Sequence, residues 1–529
     1  MASSLVAGGI LLSRISGLVR EGVFSAYFGT TLYADVFRAA IRMPNALQNL
    51  LGEGTLSASF IPVYSELLEQ GRKEDARRTA GAVLGLLMAA AGVMALVGIA
   101  LAPVLVSLLL PGFDGERRTL AVEAVRIIFP MTGVLVLSAW ALGILNSHRK
   151  FFIPYVAPVI WNAAIIATLI LFGGGLSLDR LVIALAWGAL LGGVLQFGIQ
   201  LPWVLRLERR IRPSLNLRFP PVREAVRNAG PAIVGRGVVQ LSGYVDLILA
   251  SFLAAGAVAA IGYAQTLYML PVSLFGMSVA AAELPELSRR RSGGMEELRL
   301  RTVAGLERIA FYVVPSFVAF VALGDVMVAG LYQRGEFDRA DTLLVYLTLL
   351  AFSIGLVAST GTRLFSSTFF ALRDTKTPAR FAITRVVLAA LLGFILMVQF
   401  EPVDQLGIPA GIFGGITVGD SRLGAVGLAA GSGIAAWVEW NLLRRRLKAQ
   451  IGPVGARLSQ IGRMFVAAIA GAAVGWGVRL LLGDISPIIQ AVLVLSTFGV
   501  VYFLTAAGIG LSEARAVLRR VRGSLGRRR

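Results

Sequence analysis

Apolar residues fall in runs of roughly 20, the length that crosses a hydrocarbon core about 30 Å thick as helix, and these runs recur along the whole chain. Short polar segments such as LEQGRKEDARR, NSHRKFF and LRDTKTP separate them. The pattern predicts about fourteen spanning helices, centred near residues 16, 48, 93, 132, 163, 190, 240, 272, 315, 355, 390, 434, 470 and 498. The fold class is therefore an all-α polytopic membrane protein with no room for a soluble domain. The first run starts almost at Met1 and has neither a basic leader nor a small-residue cleavage site, so it is expected to stay as the first span. Composition agrees: 56% of the residues are hydrophobic, 15% are charged and mean hydropathy is +0.76.

Charge sets the expected orientation, because basic residues favour cytoplasmic loops. Loops after even-numbered spans are basic, with Arg72, Lys73, Arg77 and Arg78 in the first, Arg206, Arg209, Arg210 and Arg212 in the third, and Arg444, Arg445, Arg446 and Lys448 in the last. Loops after odd-numbered spans are short or mixed, as in PGFDGERR and QRGEFDRAD. Both termini are then cytoplasmic. The net charge of +20 is spread over loops flanking the membrane, with no compact basic and aromatic module, so no nucleic-acid partner is expected. Cysteine is absent, and the one histidine, His148, reads as an ordinary loop residue, so no metal site is expected.

A weak internal repeat appears at an offset of about 225 residues. Ile15-Ser16-Gly17 parallels Leu241-Ser242-Gly243, Phe60-Ile61-Pro62 parallels Glu283-Leu284-Pro285, PGFD at Pro111 parallels RGEFD at Arg334, and NSHRKFFIP at Asn146 parallels LRDTKTP at Leu372. Six spans separate the copies, so the halves share orientation and are expected to be related by a pseudo-two-fold along the membrane normal. This divides the chain into two six-helix lobes, 1–215 and 216–448, followed by two added helices in 449–510 and a basic cytoplasmic tail, 511–529. Duplication around a midplane cavity is the architecture of transporters that alternate access.

Ionisable residues at membrane depth are costly and are functional candidates by default, the alternative being snorkelling near a helix end. In span 1, Arg14, Gly17 and Glu21 share a helix face while Arg20 projects about a third of a turn away. Span 2 reads ADVFRAAIRMPNALQNLLGEG, in which Asp35, Arg38, Arg42, Asn45 and Asn49 step by three, four, three and four. That is one polar stripe about 20 Å long. Pro44, and Gly52 and Gly54 flanking Glu53, predict a kinked or broken helix. The stripe must face a cavity or a partner helix, and a cavity is favoured because spans 1 and 2 both carry charge. The second lobe contributes Arg236 and Asp246 on span 7, Glu283 and Glu286 near the end of span 8, Arg363 on span 10 and Arg385 on span 11. Asp246 and Arg385 read equally as a buried ion pair or as part of a transport site. A cationic cavity suits an anionic headgroup, and the planar fork of arginine suits phosphate.

At these residues the sequence resembles the MurJ/MviN family, lipid II flippases of the multidrug/oligosaccharidyl-lipid/polysaccharide exporter superfamily. SRISGLVRE, ADVFRAAIRMPNAL and GEGTLSASFIPVYSE carry the resemblance most specifically. It implies transport of undecaprenyl-diphosphate-linked disaccharide-pentapeptide to the outer leaflet of the bacterial inner membrane, with the tail in a groove made by spans 13 and 14. The positions that match the family are Arg14, Arg20, Glu21, Asp35, Asn45 and Glu53, with Arg42 and Arg363 at positions that are basic in relatives. The chain departs from the pattern at Gln48, Asn49 and Thr266, where arginine is frequent, and Arg38 is an additional charge. Asp246 resembles part of a sodium site, but Arg385 stands where a polar ligand is expected.

The expected function is thus a lipid flippase working by alternating access. Arg14, Arg20, Asp35, Arg38, Arg42, Asn45 and Asn49 are expected to bind substrate, Glu21 and Glu53 to gate, and Arg236, Thr266 and Arg363 to contact substrate from the second lobe. Arg20 and Glu21 are also expected to pair with the other lobe. No GxxxxGK[ST] loop is present, so the drive is expected from membrane potential or a Na+ or H+ gradient, without a cofactor. No acid/base pair or nucleophile constellation marks an enzyme. Partners are expected to be lipid II, membrane lipids and cell-wall synthesis enzymes, with the chain a monomer. The alternatives are an exporter of another polyprenyl-linked oligosaccharide and a transport-inactive scaffold for cell-wall synthesis.

Overall fold

A computed structural model describes residues 2–209, 211–280, 283, 286–287, 294–483 and 485–515, with side chains for all of these except 2–7, 46–47, 50, 53, 232 and 234–242. The tail beyond 515 and the basic run Arg289 to Arg291 lie outside the described residues.

The first half contains α1 (Ala2–Phe28), α2 (Leu32–Leu51), α3 (Glu53–Glu69), α4 (Lys73–Leu109), α5 (Gly115–Ser147), α6 (Phe152–Phe172) and α7 (Leu178–Leu207). The second contains α8 (Pro220–Ser251), α9 (Ala257–Pro271), α10 (Met295–Tyr332), α11 (Arg339–Ser353), α12 (Leu356–Ala371), α13 (Lys376–Phe400) and α14 (Gly424–Ile451). Two further helices, α15 (Leu458–Leu482) and α16 (Pro487–Gly508), follow. Among the described residues nine helices are long and apolar enough to cross a membrane, and α11 with α12, bent by 43°, makes a tenth. The fourteen expected centres all fall in or between these helices. The polar ones, such as α2 with its Asp35, Arg38 and Arg42, do not pass the apolar test.

The repeat is visible in the helix starts: Leu32 and Ala257, Lys73 and Met295, Gly115 and Arg339, Phe152 and Lys376 open successive helices of the two halves. It extends to backbone conformation. Arg149 (φ 60°) and Arg373 (φ 63°) are the only described non-glycine residues with positive φ. Each lies just past a helix end, where the following N–H reaches back five residues, Lys150 to Leu145 O (2.8 Å) and Asp374 to Phe369 O (2.9 Å). This closure satisfies orphan carbonyls and needs a left-handed residue, normally glycine. The expected break in span 2 is found at Gly52, between α2 and α3, with Pro44 inside α2.

The chain divides into two compact units, Met1–Ala259 with Arg334–Phe337, and Ala260–Gln333 with Asp338–Arg529. In the first, Phe60 and Tyr64 of α3, Ala80 of α4 and Trp140 and Ile144 of α5 form a buried core, and the Trp140 indole donates to Ala80 O (3.1 Å). In the second, Phe311, Val314 and Leu323 of α10 pack against Ala467 and Ala468 of α15 and Val494 and Phe498 of α16. The most buried span in the first unit is α5, and α4 there buries only 17% of its apolar window, whereas α10 in the second unit buries 67%. Helices α13 and α14 approach so closely that a Cβ on Gly431 would lie 2.3 Å from Gly393 N, the small-residue packing that lipid-embedded helices favour. The α13–α14 connection carries a short hairpin, Thr417–Val418 paired antiparallel with Ser421–Arg422, on an otherwise helical frame.

Candidate functional site

The polar faces of α1 and α2 meet within the first unit and separate into three places. At one end Asp35 is fully buried. Its Oδ2 accepts from Arg117 Nη2 (2.6 Å) and Gly256 N (2.7 Å), and its Oδ1 accepts from Ala259 N (2.7 Å). Arg117 also donates to Leu253 O (3.2 Å) and lies 3.8 Å over the Phe113 ring. Asp35 thereby caps the start of α9 from another helix, the favoured position for an anion. The stripe reading placed Asp35 on a cavity wall; the structure corrects this, because every oxygen is committed and no surface remains.

In the middle, Glu21 is buried between Arg20 (2.5 Å) and Arg38 (2.5 Å). Arg20 also donates to Asn162 Oδ1 (3.2 Å) and sits 4.8 Å over the Trp161 ring, while Asn162 donates to Ser16 Oγ (2.8 Å). Arg38 lies over Phe24 at 5.2 Å. Here Glu21 bonds to two arginines of its own unit. One carboxylate bridges two guanidiniums, so an entering phosphate competes with Glu21 for the same donors.

At the third place Arg14 and Gln48 line a cavity of about 380 Å3 with Ser13, Ser138, Tyr155 and Gln196. Arg42 turns toward α8, where Asp246 and Tyr244 face it, and Tyr244 donates to Met43 O (2.7 Å). Asn45 is half-buried and Asn49 exposed on the same helix. The side chains of Glu53 and Arg236 lie outside the described residues.

In the second unit Arg385 donates to Glu439 Oε2 (3.1 Å) and Ser359 Oγ (3.1 Å), a partner set that sequence reading did not supply. Arg363 is exposed and shares the electrostatic environment of Arg385, Tyr268 and Glu439. Thr266 turns its hydroxyl back to Gly262 O (3.0 Å) on α9, and a π-helical stretch, Val272–Met277, continues that helix. Buried Glu283 is held by Arg301 (2.6 Å) and Arg308 (2.6 Å), a structural pin to α10. Among the described residues no group of three or more His, Asp or Glu side chains is placed to hold a metal.

His148, expected as a bystander, bonds Tyr64 Oη (3.0 Å) in a cluster that includes Glu208 and Arg77. Burial raises the Glu208 carboxyl, but hydrogen bonds from His148, Tyr64 and Arg77 outweigh it and hold its pKa below the usual value.

An arginine-rich polar face in a duplicated helical membrane protein narrows the field, and similarity narrows it further. The protein called "Lipid II flippase MurJ" in Burkholderia cenocepacia is 33% identical over 399 residues, covering 74% of this chain and 77% of that one. A "Probable lipid II flippase MurJ" of Rhizobium meliloti is 30% identical over 540 residues, covering 98% and 95%. A solved structure, "Lipid II flippase MurJ, inward closed conformation", has the same fold with a TM-score of 0.74 at 23% identity, over 96% of this chain and 98% of that one. The family model for "Lipid II flippase MurJ" matches residues 24–499, so this chain belongs to the MurJ family.

Proposed function

We propose that this chain is a lipid flippase, a transporter and not an enzyme, that moves lipid II from the inner to the outer leaflet of the bacterial inner membrane by alternating access. The observation that carries the reading is the set Arg14, Arg20, Arg38 and Arg42 on two consecutive helices, with Glu21 and Asp246 the acidic side chains described beside Arg20, Arg38 and Arg42. A diphosphate can take bidentate bonds from guanidinium forks, and Arg20 and Arg38 are already held apart by one carboxylate it can replace. Asn45 and Asn49 extend the polar path on α2.

Both termini are cytoplasmic in this proposal, following the positive-inside bias of the loops. An inside-negative potential then favours outward movement of the anion by about 2.3 kcal/mol per charge per 100 mV. A Na+ or H+ gradient is the second drive in this proposal. The polyprenyl tail follows the apolar outer face of α15 and α16, where Val466, Ile469, Val500 and Leu504 are exposed. The test is to make this chain the sole flippase of a bacterium depleted of its own and measure lipid II accessible at the outer surface, with Arg20→Ala alongside. Accessible lipid II that disappears in Arg20→Ala supports the proposal. Well-inserted protein with lipid II retained inside removes it, and other polyprenyl-linked glycans then become the substrates to try.

A further inference from the structure

A second cavity, about 250 Å3, lies in the first unit at the end where α4 begins and the α7–α8 connection passes. Its wall is formed by Arg77, Arg78, Arg212, Ser214, Asn216 and Phe219, with Glu74 at the edge. The connection is seated on α4 by two close approaches. A Cβ on Gly81 would lie 2.3 Å from Arg212 O, one on Gly85 would lie 2.3 Å from Ser214 O, and Ser214 N donates to Gly81 O (3.2 Å). The backbone therefore has no freedom to lift without losing this fit.

Charge in the cavity is unbalanced. Arg77 is committed to Glu74 (2.9 Å) and Glu208 (3.2 Å), whereas Arg78 lies over the Phe219 ring at 5.0 Å. Neither Arg78 nor Arg212 has a carboxylate partner among the described residues. The connection is apolar between the cavity-lining residues, with Leu215 64% and Leu217 51% exposed, and in the last turns of α7, which leads into it, Trp203, 40% exposed, carries Arg206 over its ring at 5.3 Å. Aliphatic and indole surface next to guanidiniums at the ends of spanning helices is the arrangement of the headgroup region of a bilayer. A soluble anion would recruit the arginines and gain nothing from Leu215 and Leu217.

We propose that this cavity binds the headgroup of an anionic phospholipid of the adjoining leaflet. The phosphate accepts from Arg78 and Arg212, Ser214 and Asn216 supply neutral hydrogen bonds, and the acyl chains lie along Leu215 and Leu217. A water takes about 30 Å3, so the cavity has room for a phosphate with its glycerol. The site is separate from the α1–α2 arginines and stands whether or not the chain flips lipid II. It fixes the segment that joins the two sequence repeats, so the occupant acts on the connection through which the halves are coupled covalently.

The full chain, purified in mild detergent, is titrated with phosphatidylglycerol and with phosphatidylcholine, and retained lipid is counted by native mass spectrometry. Phosphatidylglycerol is expected to be held about tenfold more tightly, with the preference lost in R78Q/R212Q and kept in R118Q/R126Q, a basic pair elsewhere on the unit. Equal retention of the two lipids, or an unchanged preference in R78Q/R212Q, overturns the proposal. Displacement of the lipid by millimolar inorganic phosphate reassigns the cavity to a free anion and overturns it equally. If R78Q/R212Q unfolds earlier than the parent, R78K/R212K decides: preference kept supports the site, preference lost sinks it.

Discussion

Replacing Asp35 with asparagine tests whether this residue is a clamp or a substrate contact. In the structure its two oxygens take three N–H donors, one of them from the Arg117 guanidinium at 2.6 Å, with no exposure. Asparagine keeps the shape but turns one acceptor into a donor, so either Ala259 N or both Gly256 N and Arg117 face an N–H, and in either orientation Arg117 is left buried without its counter-charge. Breaking a buried ion pair from one side costs about 3–5 kcal/mol, which lowers the folded-to-unfolded ratio by roughly a hundred- to several thousandfold. Removing Arg117 as well, in Asp35→Asn/Arg117→Gln, discharges the stranded cation while leaving a donor for Leu253 O. About 2 kcal/mol should return, a positive coupling of the size found for groups in one network. The assay is denaturant unfolding of the purified protein in mild detergent, followed by intrinsic fluorescence, with the amount of inserted protein measured in cells. An unfolding midpoint unchanged in Asp35→Asn, with lipid II transport lost, would refute the clamp and return Asp35 to the substrate path. A double variant no more stable than the single would show that the Arg117 charge is not what makes the loss large.

Arg149→Gly and Arg373→Gly should each raise stability by about 1 kcal/mol, because glycine adopts the left-handed backbone that arginine holds at a cost; a lowered unfolding midpoint would show that the arginine side chains contribute more than the strain removes. Glu21→Gln removes the carboxylate shared by Arg20 and Arg38, so the protein should retain diphosphate lipid about tenfold more tightly and release it more slowly, measured as retention in native mass spectra and as transport rate. Glu208 has a depressed folded pKa, so its contribution is fully present above the unfolded value near 4.3 and is lost as pH falls through the folded value; the parent should lose stability below about pH 4 relative to its plateau, and Glu208→Gln should flatten that part of the curve. Gly431→Val places a side chain where α13 and α14 touch, and should reduce folded protein severely, whereas Gly477→Val, at a glycine with open space, should not.

The spans and the duplication were legible because both rest on long-range averages. Twenty apolar residues in a row have few alternatives in a membrane protein, and the repeat of NSHRKF in LRDTKTP extends to two arginines in the same rare backbone conformation. The α2 stripe was legible only as a face. Spacing by three and four says which side chains share a side of the helix, and not which neighbour covers each part of that side. Asp35 was therefore grouped with Arg38 and Arg42, although its partner Arg117 comes from GERR, a segment that reads as a mixed loop. Asn162 and Glu439, each a polar letter in an apolar run, were passed over for the same reason: their partners Arg20 and Arg385 are distant in sequence. His148 looked idle because Tyr64 and Glu208 lie on other helices.

The unequal burial of α4 and α10 bears on how such a chain grows. These helices open at matching positions of the repeat, yet one leaves its apolar flank bare and the other has that flank covered by α15 and α16. In water, exposing such a flank before its cover existed would invite aggregation. In a bilayer the lipid tails are as good a neighbour as leucine. An ancestor ending after α14 would have been a finished membrane protein, and a helical pair could be annexed at its edge without any earlier surface having been made ready for it.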